Sequence, residues 1–126
     1  MSEANILLVD DDPDTRNIVP RILSKCNYTV STCSSGSQAL EYLAQEHFDL
    51  VLSDVRMPGM SGFELLRSIR DSYPELPVIL LTAIADLDSE MEAARADMHG
   101  YLRKPYTAAE LTDAVRAMLS RFNPQS

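Results

Sequence analysis

Several things are scarce in this sequence. It has four glycines in 126 residues, at 36, 59, 62 and 100. None follows the first apolar run, so the glycine-rich loop that cradles a nucleotide phosphate at a helix start is missing there. There are two cysteines, Cys26 and Cys33, in no metal-ligand spacing. They read as buried reduced thiols rather than a disulfide or a redox pair. No apolar run approaches the length needed to span a bilayer, and Met1–Asn5 lacks the basic and apolar parts of a secretion signal. The expected location is therefore the cytoplasm, away from membranes. Basic residues are also few, 11 Lys and Arg against 19 Asp and Glu, for a net charge of −8 and a pI near 4.6. That balance disfavours nonspecific binding to nucleic acid or to an anionic membrane. A phosphate-bearing substrate would need local help from a metal or an ammonium. Internal repeats, low-complexity tracts and an interior linker are absent too. With 45% apolar residues the chain reads as one domain, 1–126, with a core at about 5–121.

What is present is an alternation of short apolar runs and amphipathic stretches. Strands are expected at about 5–9, 28–33, 49–53, 77–82 and 98–102, and helices at about 13–26, 36–46, 61–72, 87–96 and 107–121. This α/β alternation argues for β-α units around a parallel sheet. Leu50–Leu52 and Val78–Leu81 are continuously apolar, as strands covered on both faces should be. Ser61-Gly62-Phe63-Glu64 and Thr107-Ala108-Ala109-Glu110 both fit a capping box. Pro13 suits a first helical turn after Asp12. Pro20 falls inside the first helix, where it removes a hydrogen bond and favours a kink, and the sequence assigns it no role.

The chemistry collects where the apolar runs end. Ile6–Val9 runs into Asp10-Asp11-Asp12, Leu50–Ser53 into Asp54, and Val78–Leu81 into Thr82; the last run reaches Lys104-Pro105. In an open parallel sheet, ligands bind beyond the carboxyl ends of the strands, where strand order reverses. If the first and third strands flank that point, Asp10, Asp11 and Asp54 converge. Clustered carboxylates with few other ligands suit Mg²⁺, which keeps several waters. Asp12 fits better as the cap of the first helix. Asp54 is a candidate nucleophile, since carboxylates form acyl phosphates. Thr82 could donate to one phosphoryl oxygen and Lys104 could place an ammonium on another. Each signal alone is ordinary: an Asp run can be a solvated turn, a Thr a cap, and a Lys-Pro pair a turn. The joint pattern at four strand ends carries the weight.

These motifs resemble the receiver domain of bacterial two-component response regulators. Ile6–Pro13 is similar to its opening strand and acidic pair, Leu52–Gly62 to its phosphoacceptor strand and loop, Leu80–Ala83 to its switch hydroxyl, and Tyr101–Tyr106 to its final motif. The resemblance covers about 5–121. It implies a flavodoxin-like (βα)5 three-layer sandwich with a five-stranded parallel sheet of order 2-1-3-4-5. It further implies that Asp54 accepts a phosphoryl group from a histidine kinase or phosphotransfer protein. Asp11 would ligate Mg²⁺ directly, Asp10 through water, and Arg56 through its backbone carbonyl. Thr82 and Lys104 would grip the phosphoryl oxygens, and the Lys104–Pro105 bond would be cis. Thr82 and Tyr101 would act as the switch, remodelling the surface of the helix at 87–96, the last strand and the helix at 107–121. Arg56 and Ile84 sit where the family tunes phosphate lifetime, while Ala83 leaves a path to Asp54. Where the family usually has Gly-Ala, this chain has Asp97-Met98.

The expected protein is a phosphorylation switch, catalysing only its own phosphorylation and dephosphorylation. Its partners would be a kinase or phosphotransfer protein, an output domain or target, and in some members a phosphorylation-dependent homodimer. The tail at 122–126 reads as a frayed end or the start of a linker. The expectation is either a single-domain regulator signalling by protein contact or a receiver cut from a longer regulator or hybrid kinase, the latter favoured because the chain stops soon after the last helix. Two rivals stand beside this reading. A pseudo-receiver would usually have lost one of Asp10, Asp11, Asp54, Thr82 and Lys104. A flavodoxin-like cofactor binder would need a phosphate loop where three carboxylates stand.

Overall fold

The computed structural model describes residues 3–83 and 99–122. The expected helix at 87–96, Ile84, Asp97-Met98 and the tail beyond Phe122 lie outside them. Five parallel strands, β1 (Ala4–Val9), β2 (Tyr28–Cys33), β3 (Leu50–Asp54), β4 (Val78–Thr82) and β5 (Gly100–Arg103), form one sheet of order β2-β1-β3-β4-β5. The expected fold class and strand order hold. Between them run α1 (Pro13–Ser24), α2 (Gly36–Gln45) and α3 (Gly62–Ser72), and a C-terminal helix covers Ala108–Phe122. No helix among the described residues is long and apolar enough to cross a membrane.

The layers follow from the two-residue period of a strand. In β1, Leu7 and Val9 face one way and pack with Val51, Leu80 and the apolar sides of α2 and α3, including Ala39, Leu43, Leu65 and Ile69. Ile6 and Leu8 face the other way, with Leu52, Ile79 and Leu81, against Val19 and Leu23 of α1 and Leu111, Val115 and Met118 of the C-terminal helix. Every residue of β3 and β4 is buried, as a strand covered on both faces requires. Each fully buried Leu or Ile contributes about 1.5–3 kcal/mol. The edge strand β5 instead alternates between half-buried and exposed.

Both expected capping boxes close. Glu64 N donates to Ser61 Oγ at 3.2 Å and Ser61 N to the Glu64 carboxylate at 3.1 Å. Glu110 N donates to Thr107 Oγ1 and Thr107 N to the Glu110 carboxylate, both at 3.0 Å. Ser61 and Thr107 are thus caps standing just before their helices. The first helix ends at Ser24, two residues earlier than its apolar pattern suggests. Cys26 N and Asn27 N bond back to Leu23 O and Ser24 O, and Asn27 takes φ +66°, a left-handed conformation asparagine tolerates. Pro20 sits within α1, which runs on past it to Ser24.

Candidate metal-binding acidic site

Strand register sets the site. Val9 lies opposite Ser53, so the residues that follow them, Asp10 and Asp54, leave the sheet side by side. This is the point at which strand order reverses, since the chain moves from β1 outward to β2 and then back to β3. Asp10, Asp11 and Asp54 each bring a carboxylate oxygen within 4.8 Å of the others. Asp10 is fully buried, Asp54 is 8% exposed, and Asp11 faces solvent.

The three carboxylates are held differently. Asp10 Oδ1 accepts from Asp12 N at 2.9 Å, while its buried Oδ2 has no hydrogen-bond partner among the described residues. Burial lifts the Asp10 carboxyl from 3.8 to about 6; the Asp12 amide opposes this, and the negative charges of Asp54 and Asp11 add to it against Lys104. A buried carboxylate oxygen with no donor, beside two further carboxylates, suits a small hard cation, which supplies the missing positive charge. Asp12 stands apart as the cap: its Oδ1 accepts from Asp14 N at 3.0 Å. Asp54 Oδ1 accepts from both Val55 N and Lys104 Nζ at 2.9 Å. Burial pushes the Lys104 ammonium down, but the hydrogen bond to Asp54 and the charges of Asp54 and Asp10 outweigh it, leaving its pKa above the ordinary value.

Lys104 reaches Asp54 because the end of β5 is tied to β4. Lys104 N donates to Thr82 O at 2.7 Å, and the Lys104–Pro105 bond is cis, as expected. Thr82 is fully buried, with its hydroxyl directed to Ala83 O at 3.1 Å. It sits one residue beyond Leu81, the β4 partner of Asp54. Tyr101 lies apart from this cluster, opposite Leu80 in the sheet and 43% exposed. The Arg56 side chain is exposed on the loop after β3.

Two residues at the site have no role assigned from the sequence. Gly62 is one: a Cβ there would lie 2.3 Å from Asp54 O and 2.9 Å from Val55 Cα, and Gly62 N donates to Val55 O at 2.8 Å. Glycine at a first helical position, directly after a cap, was its available signal. Tyr106 is the other. Its half-buried phenol is raised in pKa by burial, and it feels the charges of Lys104, Asp10 and Asp54.

The Asp10 shift has a measurable consequence. A carboxyl whose folded pKa exceeds its unfolded value opposes folding at neutral pH, and the penalty disappears as pH falls from about 6 toward 3.8. In chelator, Asp10→Asn is expected to raise stability at pH 7 by up to about 3 kcal/mol, since the amide keeps an acceptor for Asp12 N without the charge. Denaturant melts across this pH range check it. The variant's advantage should shrink on acidification, and equal stability at pH 7 contradicts the assignment.

Known proteins share this chain's sequence pattern and fold. A family model for the response regulator receiver domain matches residues 6–116. The DNA-binding transcriptional regulator NtrC of Escherichia coli is 38% identical over 125 residues, covering 99% of this chain and 27% of NtrC. The chain thus spans about a quarter of the length of that relative. The chemotaxis protein CheY of Pseudomonas aeruginosa is 37% identical, with 94% of this chain and 98% of CheY covered. Among solved structures, a response regulator receiver domain protein from Clostridium thermocellum superposes with a TM-score of 0.88 at 32% identity, covering 98% of this chain and 99% of that one. The match extends from β1 through all five strands and well into the C-terminal helix, over the whole scaffold that brings Asp10, Asp11 and Asp54 together. The chain belongs to the response regulator receiver domain family.

Proposed function

We propose that Asp54 is the phosphoacceptor of this receiver domain, with Asp10, Asp11, Asp54 itself and the Arg56 carbonyl as the Mg²⁺ site and Thr82 and Lys104 as phosphoryl-oxygen partners. The single observation that carries this reading is the convergence of three carboxylates with one ammonium, Lys104 Nζ at 2.9 Å from Asp54. An Asp54 oxygen attacks the phosphorus of a phosphohistidine. The O–P bond forms as the P–N bond breaks, and the electron pair leaves with the donor imidazole nitrogen. Bound Mg²⁺ would supply positive charge against the phosphoryl oxygens and against the carboxylates themselves. Asp54 needs no general base, because it reacts as the carboxylate.

The Lys104 ammonium, now on Asp54, then serves the phosphoryl group, and the Thr82 hydroxyl turns from Ala83 O toward it. Thr82 and β5 are joined through Lys104 N, so that turn reaches Tyr101, whose exposed ring is the reporter on the surface. Water attack on the acyl phosphate later releases inorganic phosphate and restores Asp54. The protein catalyses only these two events on itself. Its donor is a histidine kinase or phosphotransfer protein in the cytoplasm, and its output passes to an attached domain or separate target, or through a phosphorylated homodimer. The single receiver unit spans 1–126.

Intact mass after incubation with acetyl phosphate tests this. One phosphoryl adduct is expected with Mg²⁺, none in chelator and none in Asp54→Ala. An adduct that persists in Asp54→Ala would move the acceptor elsewhere. No adduct in folded wild-type protein with Mg²⁺ would count against a working receiver with small-molecule donors.

A further inference from the structure

At the opposite end of the sheet from the acidic site, a side-chain knot joins three separate elements. Arg70 of α3 spreads one guanidinium nitrogen, Nη1, over three carbonyls: Tyr73 at 3.2 Å, Pro74 at 2.9 Å and Leu76 at 3.1 Å. Its Nη2 lies 3.3 Å from Nδ1 of His99, just ahead of β5. Val78 N, at the start of β4, donates to the same Nδ1 at 3.2 Å. His99 N in turn donates to Val78 O at 3.1 Å. The α3–β4 connector, the foot of β4 and the foot of β5 are thereby tied through one imidazole. The knot borders a cavity of about 960 Å³ between the connector and the C-terminal helix.

The chemistry of the knot dictates its protonation state. A backbone N–H and a guanidinium can only donate, so Nδ1 must carry a lone pair, and His99 is neutral with its proton on Nε2. A proton on Nδ1 would set a cation against Arg70 and face the Val78 N–H with another donor. We propose that His99 is an acid-released latch, holding the α3–β4 connector to the foot of β5 while neutral and letting go when protonated.

The surrounding charges favour release over capture of the proton. Burial lowers the His99 pKa from 6.5, and Arg70 on α3 and Arg121 on the C-terminal helix lower it further. Around the same cavity stand Glu46, His47 and Asp49 after α2, and Glu75 in the connector. His47 is exposed and pairs with Asp49 at 3.2 Å. The folded pKa of His99 is below the unfolded one. The stabilisation is therefore complete above pH 6.5 and disappears as pH falls through the folded pKa. Release would loosen the foot of the strand whose other end leads to Lys104.

NMR on the wild-type protein reads the latch directly. The ¹⁵N shifts of His99 should report the Nε2–H form at pH 7. Protection of the Val78 amide, corrected for intrinsic exchange, should fall roughly five- to tenfold on protonation of His99, the size of one ordinary hydrogen bond. His99→Asn supplies an acceptor near the Nδ1 position that does not titrate, so its Val78 protection should stay level over the same range. An Nδ1–H tautomer at pH 7, or Val78 protection in wild type indifferent to pH, would overturn the proposal. So would a folded His99→Asn as acid-sensitive at Val78 as wild type.

Discussion

Replacing Lys104 with methionine should slow phosphorylation of Asp54 by acetyl phosphate by about 100-fold or more, the usual cost of removing one preorganised donor from developing oxyanion charge. The same change should strengthen Mg²⁺ binding severalfold. These opposite signs follow from one contact. Lys104 Nζ stands 2.9 Å from Asp54 Oδ1 and contributes its charge to a site that already holds three carboxylates. Its removal leaves the carboxylates more negative, which a divalent cation welcomes, but takes away the group that would meet the phosphoryl oxygens. Methionine keeps most of the stem, so packing changes little. A rate within a fewfold of wild type would deny Lys104 its role in transfer, and unchanged cation affinity would deny its coupling to the carboxylates. Rates from mass spectra and a Mg²⁺ titration give the two numbers.

Gly62→Ala should destabilise the fold by about 1–3 kcal/mol and slow phosphorylation as well. On helix propensity alone the sign would be reversed, since alanine is favoured over glycine within a helix by up to about 1 kcal/mol. Here the added Cβ would sit 2.3 Å from Asp54 O, and backbone at that distance cannot swing aside as a side chain would. Either α3 lifts off the end of β3 or Asp54 shifts. Gly36 offers a contrast. Its added Cβ meets Met60 Sδ at 2.6 Å, the flexible part of a half-buried side chain that has other rotamers to take. Gly36→Ala should therefore cost less than Gly62→Ala and leave phosphorylation alone. Equal denaturation midpoints for the two variants would contradict this.

The comparison of these two glycines shows where sequence legibility stops. Strands β1, β3 and β4 were readable because burial on both faces leaves runs such as Leu50–Leu52 uninterrupted, and a carboxylate or hydroxyl at the end of such a run stands out. The sheet order came from the resemblance to the receiver family; the residues alone offered only the condition that the first and third strands be neighbours if Asp10 and Asp54 were to meet. Helix starts were readable because a capping box is local, three residues from Ser61 to Glu64. The turn at Asn27 was harder, since the apolar pattern of α1 continues through Cys26, which packs at the edge of the core although the helix has already ended. His99 was not readable at all, and Gly62 only as a glycine directly after a cap. Gly62 matters through the Asp54 carbonyl, and His99 through Arg70, 29 residues away. Such contacts leave no periodicity, because only the folded sheet brings them together. Tyr106 belongs with them: its place beside Lys104, Asp10 and Asp54 comes from the path of the chain after β5, which residue type does not announce.

The central claim is that the covalent bond forms at Asp54, and reductive mapping tests it most directly. Protein phosphorylated with acetyl phosphate and Mg²⁺ is treated with borohydride, which converts an aspartyl phosphate to homoserine, and the peptides are then sequenced by mass. Homoserine at position 54 alone is the predicted result. Homoserine at 10 or 11 instead, or a phosphate on a hydroxyl or histidine that borohydride leaves untouched, would contradict it.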